Sequence, residues 1–337
     1  MTGIIDVALQ TPQITYSMTL KRNITVVRGD SGSGKSYLCS LIEQASQGIE
    51  DVSMILSKPV DYLVLPRVTQ DSRVSRTWQE IVKTCENTII FIDETCDCWK
   101  SGSFSREIQG TSNYYVIFSR GVHADLPYSV DSVLYFEKTM STLTPCINGE
   151  PLYPECKPLQ KVLPLTIVTE DEKAGCVFYQ HAYSIPVESA KSKTKIAKKL
   201  KSLAIAKRDD ILLIVDGAAF GPEIEKVQTL LKTLFLNSHV FMPESFEWLL
   251  LHSPVFYHIP QIQSVLQDYL NQIDWSRYFS AERYFTAKLS ELTSRIALEV
   301  YDKSSDSLDP IFLSPETLST VRKFIPIDSR EETSYFS

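Results

Sequence analysis

Gly29-Asp30-Ser31-Gly32-Ser33-Gly34-Lys35-Ser36 is the segment whose residue types and spacing most directly promise chemistry. The spacing G-x-x-x-x-G-K-[ST] suits a chain of phosphates. Glycines let consecutive backbone amides curl around an anion, while a lysine and a hydroxyl reach its oxygens and a magnesium ion. Its flanks fit that use. A β-branched run, Ile24–Val27, enters the segment, and Leu38, Leu41 and Ile42 follow at helical spacing. A helix beginning at that point turns the positive end of its dipole toward the anion. On this reading the backbone from Gly29 to Gly34 cradles phosphates, Lys35 reaches the β- and γ-phosphates, and the Ser36 hydroxyl binds Mg²⁺.

A second segment, Ile89-Ile90-Phe91-Ile92-Asp93-Glu94, reads as a buried strand ending in two acids. Asp93 is placed to hold the magnesium and Glu94 to activate an attacking water. Arg120 follows another apolar run, Tyr114–Phe118, and would contact the terminal phosphate. Together these residues resemble the Walker A and Walker B motifs and phosphate sensor of P-loop ATPases. The antiparallel start, Ile4–Leu9 and Ile14–Leu20, resembles the front of ABC- and SMC-type ATPases. No L-S-G-G-Q-like signature lies between Ser36 and Ile89, and that gap is too short for their helical subdomain. The resemblance therefore implies a reduced P-loop ATPase using ATP and Mg²⁺. ATP is preferred over GTP because no N-K-x-D guanine-reading motif is present.

The second half of the chain carries strand-end acids. Glu170 follows the apolar run Leu165–Thr169, Asp216 follows Ile211–Val215, and Glu244 and Glu247 follow His239–Met242. Strand–helix alternation puts them on the carboxyl edge of a parallel sheet, where active sites gather. Over Thr166–Leu251 this resembles the Toprim domain of topoisomerases, primases and OLD-type nucleases, and most closely the Toprim-like nuclease subunits of bacterial phage-defence systems. Glu170 matches the family's first-strand glutamate and Asp216 the first acid of its D-x-D. Phe246-Glu247-Trp248-Leu249-Leu250 is similar to its I-E-N-Y-L segment. The resemblance implies Mg²⁺ held by Glu170 and Asp216, with catalysis by Glu170, Asp216 and Glu247. Two positions depart from the family: Asp171 stands where it has glycine, and Ala218 replaces the second acid of D-x-D. Glu244 or Glu247 is then the candidate to complete the ligand set.

The elements that must position these residues are α/β throughout. The expectation is a P-loop NTPase domain with a parallel sheet over 1–140 and a linker over 141–164. The linker has an Asn148–Gly149 turn and many prolines. A Toprim-like α/β domain over 165–255 and a helical C-terminal region over 256–337 follow. A helix is read over Val74–Cys85, and Ser314-Pro315 opens a last short one. With 337 residues there is room for two cores. The net charge of −7 argues against bulk attraction to nucleic acid. Between Lys191 and Arg208, however, eight bases occur with no acid. Ile196, Leu200 and Leu203 fall on one helical stripe there, which reads either as a solvated amphipathic face or as a DNA- or RNA-binding one. No apolar run approaches the ~18 residues that span a bilayer, so no membrane partner is expected. Seven cysteines without a C-x-x-C pair suggest free thiols and a cytoplasmic location. The five histidines show no metal spacing. Trp275, Tyr278, Phe279, Tyr284 and Phe285 read as packing, with homodimerisation the second choice. Two functions follow. One is an ATPase coupled to a metal-dependent, nucleic-acid-acting nuclease in phage defence or mobile-element biology. The other is a nucleotide-gated switch or assembly factor with a partner protein and a non-catalytic second domain.

Overall fold

The computed structural model describes residues 1–30, 32–65, 77–96, 98–100, 102–121, 125–141, 144–154, 161–208, 210–234, 238–296 and 298–328. The chain divides into two compact units. The first is Met1–Tyr153 with Tyr269–Ser280, and the second is Pro154–Asp268 with Ala281–Ser337.

Unit 1 contains β1 (Ile5–Gln10), β2 (Thr15–Leu20), β3 (Ile24–Arg28), α1 (Lys35–Ser46), β4 (Ser53–Leu56) and β5 (Asp61–Val64). It continues with α2 (Trp78–Thr84), β6 (Thr88–Ile92), α3 (Phe104–Ile108), β7 (Tyr114–Ser119), β8 (Val133–Ser141) and β9 (Thr144–Pro151). One nine-stranded sheet runs β4-β1-β2-β9-β8-β3-β7-β6-β5. The sheet is mixed, which corrects the expectation of a parallel one. From β8 through β3, β7 and β6 to β5 every pairing is parallel. Every residue of β6 and β7 is buried, as parallel strands covered on both faces require. β1 instead alternates, with Ile5, Val7 and Leu9 buried and Asp6 and Gln10 exposed. It pairs antiparallel with β2 and β4, as a sheet with one face packed can.

The Asn148–Gly149 pair is not a turn. It lies inside β9, opposite Glu137 and Phe136 of β8. A Cβ on Gly149 would come within 2.9 Å of the Met18 Cβ, so glycine here serves close approach to β2. α2 is capped by Thr77, which forms a capping box with Glu80. Residues 74–76 lie outside the described residues.

Unit 2 contains β10 (Thr166–Thr169), α4 (Ala174–Ala182), β11 (Val187–Ser189), α5 (Ile196–Ile205), β12 (Ile211–Ile214), α6 (Gly221–Leu234), β13 (His239–Phe241), α7 (Phe246–Leu250) and α8 (Ile262–Gln267). The helix α9 (Tyr269–Gln272) belongs to unit 1, while α10 (Ala281–Arg295) and α11 (Pro315–Val321) return to unit 2. The stretch read as one helical extension is therefore shared between the units. Trp275 and Phe279 are buried in unit 1, Tyr284 and Phe285 in unit 2. The sheet of unit 2 is fully parallel, β11-β10-β12-β13. The chain leaves β10 for β11 on one side and crosses back to β12 on the other. The carboxyl ends of β10 and β12 thus flank a topological switch point, the usual place for a crevice. Among the described residues no helix is long and apolar enough to cross a membrane, and the six cysteines are free thiols.

Candidate functional site

In unit 1 the segment Gly29–Ser36 joins the carboxyl end of β3 to the first turn of α1. Ser31 lies outside the described residues. Gly34 sits immediately before the helix at φ 86°, and a Cβ there would come 2.8 Å from the Tyr16 hydroxyl. Only glycine meets both conditions. The first turn of α1 carries no acid, so nothing local opposes an anion at the helix start. Lys35 is 4% exposed. Its ammonium folds back to donate to the Gly29 carbonyl at 2.5 Å, the Asp30 carbonyl at 3.1 Å and the Ser33 hydroxyl at 2.9 Å. Burial draws its pKa below the ordinary lysine value, partly offset by Glu94.

β7 lies between β3 and β6, so the ends of the three strands stand side by side. The Ser36 hydroxyl donates to Asp93 Oδ1 at 3.2 Å, and Thr95 donates to Oδ2 at 2.6 Å. Asp93 is buried; Glu94 beside it is half-buried and pairs with Arg120, Nε to Oε1 at 2.9 Å. Gly29, Gly32, Gly34, Lys35, Ser36, Asp93, Glu94 and Arg120 thus belong to one sheet edge, as do the flanking Asp30 and Ser33.

In unit 2 the structure brings Glu170, Asp216 and Glu247 to one cavity of about 70 Å³, joined by Asp171, Glu282, Tyr301 and Lys303. Glu244 is not among the residues lining it; its carbonyl accepts from the Ala218 amide. The carboxylates are fixed by backbone. Asp216 Oδ1 accepts from the Phe246 amide at 2.9 Å, and Glu170 Oε2 accepts from the Asp216 amide at 3.3 Å. Glu247 is fully buried on α7, where Ser245 caps the helix by accepting from the Trp248 amide. Its Oε1 accepts from the Tyr301 hydroxyl at 3.0 Å, while its Oε2 has no hydrogen-bond partner.

Among these acids sits an ammonium. Lys303 Nζ lies 2.5 Å from Glu282 Oε1, 3.4 Å from Asp216 Oδ2 and 3.5 Å from Glu247 Oε1. Burial alone lowers a lysine pKa, but Asp216, Glu247 and Glu282 outweigh it and hold Lys303 above its ordinary value. Burial and the Glu282 charge push Glu170 up to about 7. Burial likewise raises Asp216 well above the carboxylate range, against the pull of Lys303, and raises Asp171. Among the described residues no three Asp, Glu, His or Cys side chains are arranged to hold a metal ion. With Lys303 in their midst, the acids here do not fit Mg²⁺.

The basic stretch keeps its buried stripe, Ile196, Ala197, Leu200 and Leu203. Part of its charge is spent internally: Lys199 and Arg208 both pair with Glu188, and Lys191 pairs with Glu172. Sequence reasoning missed Lys303, Glu282 and Tyr301. They come from beyond the α/β core, and no spacing ties them to Asp216. Compared with protein-family models, curated proteins and solved structures, the chain gives no match.

Proposed function

We propose that unit 1 binds and hydrolyses ATP with magnesium. The observation that carries this reading is the Ser36–Asp93 contact at the mouth of the Gly29–Ser36 loop. A strand-end acid and a helix-start hydroxyl, distant in sequence, meet where a magnesium ion beside a phosphate needs both. The glycine at Gly34 and the acid-free first turn of α1 fit the phosphates themselves. Lys35 would exchange its carbonyl partners for phosphate oxygens, Glu94 would orient and deprotonate the attacking water, and Arg120 would leave Glu94 for the terminal phosphate. The test is equilibrium binding of a fluorescent ATP analogue. Two charge-assisted hydrogen bonds at about 1.5 kcal/mol each make Lys35→Ala about 100-fold weaker. Full affinity in that variant would sink the assignment.

For unit 2 we favour a non-cleaving module of a nucleotide-dependent switch or assembly factor. The Toprim resemblance implies a metal-dependent nuclease instead, and the convergence of Glu170, Asp216 and Glu247 on one cavity speaks for it. The ammonium of Lys303 speaks against it, because a positive charge already stands among the acids that would carry the metal. Plasmid DNA and tRNA incubated with Mg²⁺ or Mn²⁺, with and without ATP, should remain intact. Cutting that disappears in a Glu170→Ala, Asp216→Ala double variant would restore the nuclease.

A further inference from the structure

The acid cavity of unit 2 has the donors of a cation site and a cation of its own. Oxygens of Asp216, Glu247 and Glu282 all lie within 3.5 Å of one nitrogen. The Asp216 carboxylate is pinned by the Phe246 amide. Glu247, buried and lining the same cavity, keeps one oxygen without any hydrogen-bond partner. A buried, unpartnered carboxylate oxygen is costly unless something positive is meant to face it. The lining points the same way: Glu170, Asp171, Asp216, Glu247 and Glu282 stand there with a single lysine.

The cation is delivered by a tethered loop. Lys303 lies between α10 and the 3-10 turn Pro310–Leu313. The loop is fastened on both sides of it, where Ser290 Oγ donates to the Tyr301 carbonyl at 2.6 Å and Lys173 Nζ to the Ser304 carbonyl at 2.6 Å.

We propose that this cavity is a divalent-cation site filled from within, the Lys303 ammonium standing where the ion would bind, so that removing that side chain opens it to a hard divalent ion. The oxygens now stand 2.5 to 3.5 Å from the nitrogen. A larger, geometrically tolerant ion with oxygen distances of about 2.3–2.6 Å needs the smaller contraction, whereas Mg²⁺ requires about 2.0–2.1 Å and near-octahedral order. Ca²⁺ is therefore the ion of choice, and Mn²⁺, which also takes oxygen ligands, serves as its paramagnetic probe. The inference rests on unit 2 being non-cleaving with Lys303 in place, and it does not depend on nucleotide binding by unit 1.

The experiment is a Mn²⁺ titration of the nucleotide-free full chain, followed by the electron paramagnetic resonance of free Mn²⁺. An Asp93→Asn background removes the candidate magnesium position of unit 1. Lys303→Ala should bind one Mn²⁺ at least about tenfold more tightly than the parent, because a repelling charge has left a low-dielectric site. Ca²⁺ should raise its melting temperature. Lys303→Arg, which keeps the charge, should behave as the parent, and adding Asp216→Asn to Lys303→Ala should abolish the gain. Folded Lys303→Ala that binds no better than the parent overturns the proposal. If Lys303→Ala fails to fold, refolding rescued by Ca²⁺ or Mn²⁺ supports the proposal, and rescue by neither overturns it. Nucleic-acid cleavage by the unaltered chain would refute the non-cleaving reading through a separate assay, leaving the two failures distinguishable.

Discussion

Two lysines near the carboxyl ends of parallel strands, one in the mixed sheet of unit 1 and one in the parallel sheet of unit 2, have opposite surroundings. Lys35 in unit 1 is held by two backbone carbonyls and a hydroxyl. Lys303 in unit 2 is held by three carboxylates. Dipoles satisfy the hydrogens of an ammonium without cancelling its charge, so Lys35 keeps a net attraction for an incoming anion. Carboxylates satisfy and cancel it together, so Lys303 has nothing left to offer one. The pKa directions express the same contrast: burial pulls Lys35 down, while the acids around Lys303 overcome burial and lift it. A lysine at a strand-end crevice is thus a ligand-binding group or a structural plug according to what its neighbours carry.

The same substitution at both positions breaks or sharpens this contrast. Lys303→Met keeps the apolar stem and strands Glu247 and Asp216 without a cation. Breaking a buried pair costs about 3–5 kcal/mol, but the Lys303 side chain is 38% exposed, and solvent screening brings the expectation to about 2 kcal/mol at pH 8. Urea denaturation in the presence of a chelator measures it, and ATP affinity should not change. Lys35→Met should do the reverse. Its former partners lie on a loop where Gly29 and Asp30 reach solvent, so stability should stay within about 0.5 kcal/mol while nucleotide binding is lost. Equal stability losses at both positions would mean that Lys35 too is a structural lysine.

The grouping of the candidate-site residues in unit 1 was legible in sequence because its signals are local. Strand, glycine spacing and helix follow one another without a break from Ile24 to Ile42, and Asp93 ends an apolar strand that announces itself. The strand-end acids of unit 2 were legible for the same reason. Lys303 was not, since 87 residues separate it from Asp216 and a lysine after a long amphipathic helix reads as solvated surface. The stripe of Ile196, Leu200 and Leu203 was visible from periodicity, but the pairing of Glu188 with Lys199 and Arg208 was not. Asn148–Gly149 misled because turn composition is only a correlation. What decided its place was the room Met18 leaves on the neighbouring strand. The return of Trp275 and Phe279 to unit 1 has no compositional mark, because apolar residues look alike whichever core they enter.

The smallest expected effect probes how unbalanced the acid cavity is. Glu170 is pushed up to about 7, first by burial and then by Glu282, against the backbone amide of Asp216 and the charge of Lys303. Its unfolded value is about 4.3. Between those pH values the folded chain holds a proton that the unfolded chain has released, so stability falls as pH rises through that window and levels off above it. The whole shift corresponds to about 4 kcal/mol. Partial exposure and the sharing of protons with Asp216 reduce the expectation to about 1–2 kcal/mol. Glu170→Gln keeps an oxygen for the Asp216 amide and removes the ionisation. It should match the parent near pH 4.5 and exceed its stability at pH 8, measured by urea denaturation with a chelator present. A variant less stable than the parent at pH 8 would mean that the Lys303 charge reaches Glu170 as an ion-pair partner. In that event the cavity is electrically balanced as it stands, and the excess of acid that separates it from the Lys35 site disappears.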